Sequence, residues 1–73
     1  MMSDSTDLLI AKLVHRLHDA DPVVRRNAAG ALRLHGHRAT SAVEDLTELV
    51  NDADPRVRAE AQRALSRLRE SAA

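Results

Sequence analysis

Apolar residues along this chain recur every three to four positions and not at every second one. Leu9, Ile10, Leu13 and Leu17 mark one stripe, and Val24, Ala28, Ala31 and Leu32 a second. Ala42, Val43, Leu46 and Val50 mark a third, and Val57, Ala61, Ala64 and Leu65 a fourth. A residue advances about 100° around an α-helix, so each set falls on one face of an amphipathic helix. No strand-like alternation or hairpin turn separates them. The chain is expected to be all-α.

Capping residues punctuate the stripes. Ser5 or Thr6, followed by Asp7, can cap a first helix running to about His18. Asp21-Pro22 opens a second: Asp accepts free N–H groups, and proline at the first helical position loses no hydrogen bond. Gly36 stands where a left-handed residue closes that helix after His35. Ser41 and Glu44 have capping-box spacing for a third helix, which ends at Asn51 and Asp52. Asp54-Pro55 then opens a fourth, running to about Ser71. The Asp-Ala-Asp-Pro links are short enough to make neighbouring helices antiparallel.

The stretch Leu17 to Leu32 returns as Val50 to Leu65, 33 residues later. Of the 24 positions from Leu13 to Gly36, ten are identical to their counterparts. A fixed period of this length marks a stacked-repeat architecture. The expected fold is therefore two tandem helical hairpins, residues 6–36 and 41–71, stacked as a four-helix minimal α-solenoid in a single domain of residues 1–73.

The pattern Asp-Pro-x-Val-Arg-x-x-Ala-x-x-Ala-Leu, present at Asp21–Leu32 and Asp54–Leu65, resembles the second half of a HEAT repeat. The likeness is to the short bacterial kind also found in phycobilin-lyase-like proteins, and it covers roughly residues 8–36 and 41–69. Ankyrin and TPR signatures are missing. The resemblance is specific to the fold and uninformative about activity. In HEAT repeats the corresponding Asp and Arg form a ladder along the turns, which implies structural roles for Asp19, Asp52, Arg25 and Arg58. It also implies that the second helix of each hairpin lines the concave side.

The two repeats diverge systematically beside the shared stripe. Val23, Asn27, Gly30 and Leu34 become Arg56, Glu60, Arg63 and Arg67; Val14 becomes Thr47; Arg16 becomes Leu49. One arrangement accounts for this. Val14, Val23, Gly30 and Leu34 face the second repeat, Leu49 faces back, and the polar positions lie on the two outer ends, as terminal repeats require. The chain is then expected to be a complete, self-capped pair. Mid-helix Gly30 is expected to mark a close approach of the second repeat. Leu8 lies off the stripe and lacks an obvious partner, and two repeats are fewer than the usual three, so monomer and homodimer both remain open.

Composition narrows the rest. With no Phe, Tyr or Trp, the core must be Leu, Val, Ile and Ala. A chain of 73 residues of this kind is expected to be stable by only about 3–5 kcal/mol. Without cysteine there is neither a disulfide framework nor a thiolate metal site, and a cytoplasmic location is expected. The apolar run Leu8-Leu9-Ile10-Ala11 is too short for a signal segment or a membrane span.

Net charge is zero but sharply divided. The second and fourth helices carry eight arginines against Glu60 and Glu70, a net +6. The remainder carries Lys12, Arg16 and Arg38 against nine acids, a net −6. Arg26, Arg33, Arg56, Arg63 and Arg67 are the candidate anchors for a protein with an acidic surface or tail. A solvated face engaged with the turn acids is the plain alternative. Nucleic acid is the second functional reading, through phosphate contacts only, because no aromatic is available for stacking. A purely structural or designed minimal repeat unit is the third, compatible with the doubled Met1-Met2 start.

Catalytic chemistry finds little support. His15 and His18 stand three apart and His35 and His37 two apart, but no third ligand is fixed near either pair. His35, opposite Leu68 in the repeat, is expected to be partly buried and hydrogen-bonded. The carboxylate pairs Asp19/Asp21 and Asp52/Asp54 are accounted for by turns and caps. Ser, His and Asp occur without a strained turn or oxyanion loop, and the only glycines are Gly30 and Gly36. Phycobilin-lyase activity belongs to much longer chains. No catalytic, metal or cofactor residue is expected.

Overall fold

The computed structural model describes residues 5–72, with side-chain surroundings for residues 5–70. Four α-helices follow in order: α1 (Ser5–Arg16), α2 (Pro22–His35), α3 (Val43–Leu49) and α4 (Pro55–Ala72), with a 3-10 segment, Gly36–Ala42, between α2 and α3. No strand occurs among the described residues. The doubled Met1-Met2 lies outside them. The molecule is a slab of 40 × 27 × 16 Å. Its most extensive contact joins α2 to α4, while α1 and α3 barely touch.

The expectation of four full helices is therefore corrected to three. Three are long, at 12, 14 and 18 residues, and α3 has only seven. The expected Ser41 capping box does not form, because the backbone is already helical at Ala42 and no side chain caps α3. Packing decides the local conformation there. Ala39 and Ala42 are fully buried, and the segment lies along α4 and α2, with a break at Ala39 (φ −102°, ψ 22°). A tighter 3-10 path lets small residues approach the core where a full helical turn would not fit.

Both Asp-Pro starts form as expected, whereas Ser5 and Thr6 lie inside α1 instead of capping it, and α3 ends at Leu49, ahead of Asn51 and Asp52. Asp21 Oδ1 accepts the Val23 amide at 2.9 Å, and Asp54 Oδ1 accepts the Arg56 amide at 2.8 Å. Gly36 closes α2 with φ 60°, a conformation that side chains disfavour.

The core comprises Ile10, Leu13 and Leu17 from α1 and its turn, Ala28, Ala29 and Leu32 from α2, and Leu46 and Leu49 from α3. Ala39 and Ala42 of the 3-10 segment and Val57, Ala61, Ala64, Leu65 and Leu68 of α4 complete it, with Val14 packed alongside. Leu49 thus faces inward as expected. Leu9 is 42% exposed and Leu34 77%, with Val23 exposed as well. These three overturn their expected burial. The reason is a choice of flank: α2 turns Arg25 and Arg33 toward the second repeat, with the buried Ala29 between them, leaving Val23 and Leu34 open to solvent. Gly30 marks no tight approach either, since a Cβ there would sit 3.4 Å from the Glu60 carboxylate, an ordinary contact.

Candidate functional site

Three polar rungs tie the two repeats together, each joining residues 27 apart: His18 to Asp45, Arg25 to Asp52 and Arg33 to Glu60. The central rung is the best built. Arg25 donates from Nε and Nη2 to the two Asp52 oxygens at 2.8 and 3.1 Å. Its Nη1 also donates to the carbonyls of Asp19 and Ala20 at 2.7 and 3.0 Å. Both side chains are largely buried. The Arg25 hydrogen bond holds the Asp52 carboxyl below its ordinary pKa, despite the opposing effect of burial. Arg58 repeats part of this, donating to the carbonyls of Asp52 and Ala53 at 2.8 and 3.2 Å.

Beside the third rung, α2 and α4 enclose an open groove of about 640 Å³. It is lined by Arg33, Leu34, Ala59, Gln62, Arg63, Ser66, Arg67 and Glu70. Glu60 sits behind its rim, accepting from Arg33 at 2.8 Å and from Arg63 at 3.1 Å. Burial would raise the Glu60 pKa, but the hydrogen bonds from Arg33 and Arg63 bring it below the ordinary value. One carboxylate thus serves two guanidiniums, leaving positive charge at the groove.

Of the five candidate arginines, Arg33, Arg63 and Arg67 line this groove. Arg26 and Arg56 do not. Arg26 lies near the start of α2 and hydrogen-bonds Asn27 at 3.2 Å. Arg56 folds back onto Asp54 at 2.9 Å, which drives the Asp54 pKa down strongly and raises its own. Leu34 is the groove residue that sequence reasoning misplaced: it is exposed beside arginines, not part of the core. Its replacement by Arg67 in the second repeat was the available signal.

The remaining chemistry-bearing residues stay apart. Among the described residues no three or more of His, Cys, Asp and Glu lie close enough to hold a metal ion. His35 is half-buried, with no ring hydrogen bond among those described, so the expected partner is not found. No helix of the described residues is long and apolar enough to cross a membrane.

No curated protein and no solved structure matches the chain. A family model described as HEAT repeats matches residues 10–73, spanning both hairpins, their turns and the Arg25–Asp52 rung. With paired helices stacked at the sequence period, the chain belongs to the HEAT-repeat family.

Proposed function

We propose that this chain is a non-enzymatic, cytoplasmic scaffold that binds an acidic protein partner through the α2–α4 face. HEAT repeats generally mediate protein–protein interaction. The single observation that carries the finer reading is the groove whose lining combines Arg33, Arg63 and Arg67 with the exposed Leu34. A segment with acidic side chains about an apolar residue complements it in both charge and hydropathy. Arg26 and Arg56, outside the groove, act as peripheral charges that speed encounter more than they hold the complex.

The test is fluorescence anisotropy with a labelled amphipathic peptide of Glu and Leu. The expected result is saturable binding that weakens with salt and is lost in Arg63→Ala/Arg67→Ala, which leaves the Arg33–Glu60 rung intact. Binding unchanged in that variant excludes the groove. A labelled DNA duplex, run in parallel, addresses the phosphate reading: duplex binding with a steep salt dependence and none to the peptide would favour it.

A further inference from the structure

The end of the molecule formed by α1 and α2 carries a second groove, of about 410 Å³, lined by Leu13, Arg16, Val24, Asn27, Ala28 and Ala31. Shifted by 33 residues, these become Leu46, Leu49, Val57, Glu60, Ala61 and Ala64. All six of those are covered in this structure, five as core residues and Glu60 beneath Arg33 and Arg63. The first repeat supplies part of that cover, through the α2–α4 contact and Arg33. The molecule therefore contains one occupied and one open copy of the same receiving surface.

We propose that this open end is a docking surface for a further HEAT-type helical hairpin. That hairpin presents small residues and one arginine from its second helix, and acidic side chains from its first. The occupied copy supplies the specification. The first repeat seats Ala29, fully buried, against the second and reaches across with Arg25 to Asp52. Asp19 is the equivalent of Asp52 and is already set in the same turn. Its Oδ1 accepts the Asp21 amide at 2.8 Å, as Asp52 Oδ2 accepts the Asp54 amide at 2.9 Å. No cation pairs with Asp19 among the described residues, so an incoming arginine completes the rung. Where the second repeat has Asp45 and Leu49, the first has Lys12 and Arg16, so the incoming first helix must carry acids.

A second copy of this chain stacking in the same sense meets only part of the specification. Its far end offers Arg58 in the place of Arg25, and α3 carries the exposed acids Glu44 and Glu48. But Gln62 and Arg63 replace Ala29 and Gly30, and the fully buried Ala29 site has no room for a longer side chain. Those two residues bar the chain from polymerising on itself while leaving the open end receptive.

Sedimentation equilibrium of the full chain tests this by removing the bar. Gln62→Ala/Arg63→Ala, at two exposed helical positions where alanine favours the fold, should self-associate at least tenfold more tightly than the parent. Adding Asn27→Arg, which fills the open groove from an exposed position, should abolish the gain. Adding Asp19→Ala should weaken it about tenfold, equivalent to about 1.4 kcal/mol. Three results would overturn the proposal: a double variant that associates no more than the parent, association indifferent to Asn27→Arg, or a parent chain that already forms a closed dimer broken by Asn27→Arg.

Discussion

The two hairpins share a framework and differ in how well it is sealed. In the second, Leu46, Val57, Ala61 and Ala64 are wholly inaccessible. In the first, the equivalent Leu13 and Ala28 retain slight exposure, and Val24 and Ala31 are only half-buried. The second helices and the Asp-Ala-Asp-Pro turns are alike, although α3 is shorter than α1; the neighbour is the larger difference. A repeat of this kind completes its core only with the back of the repeat before it, as expected for a quasi-one-dimensional stack.

The sharpest way to probe that difference is a matched pair of truncations. Leu46→Ala should cost about 2–5 kcal/mol, comparable with the whole stability of a domain this size. Leu13→Ala, beside an open groove, should cost clearly less. Denaturant unfolding giving equal losses would break the comparison. Next comes the rung. Asp52→Ala loses both the turn bond and the two-pronged partner of Arg25, whereas Asp19→Ala loses the turn bond alone, so the first should lower the melting midpoint roughly twice as far. A double-mutant cycle with Arg25→Ala isolates the pair.

Acid should act on the same side of the molecule. Asp52, Asp54 and Glu60 all have lowered pKa values in the folded state, so the unfolded chain binds more protons below neutrality. Their stabilisation is complete above the unfolded carboxylate values of about 4 and is lost as pH falls through the lowered folded values. Thermal melts should hold a steady midpoint down to about pH 5 and fall below pH 4, with a shallower fall in Glu60→Gln. The smallest effect is Gly30→Ala. The site admits a Cβ, so helix propensity should raise stability by up to about 1 kcal/mol. Gly36→Ala, at φ 60°, should have the opposite sign.

Much of the architecture was readable because two copies of one pattern lie side by side. The inward stripes, both Asp-Pro helix starts, the Gly36 closure and the inward Leu49 follow from spacing and capping chemistry. Helical periodicity cannot say which flank of a stripe meets the neighbour, and that is where Leu34 and Val23 were misassigned; Gly30 does face the second repeat, but through the Glu60 side chain and without a tight backbone approach. The informative contrast was Ala29 against Gln62: a small residue where the next repeat packs, a polar one where it does not. The 3-10 segment was illegible because burial of Ala39 and Ala42 overrode a plausible cap at Ser41. Three of the five arginines share the groove, but nothing in the spacing separates them from Arg26 and Arg56.

The constant 27-residue separation of the rungs has a consequence for alignment. All three loops have the same modest length, so no closure carries a much larger entropic penalty than another. Forming any one aligns the partners of the other two, and a slip by one helical turn would mismatch all three together. The halves should therefore settle into a single alignment, because each rung enforces the register of the other two.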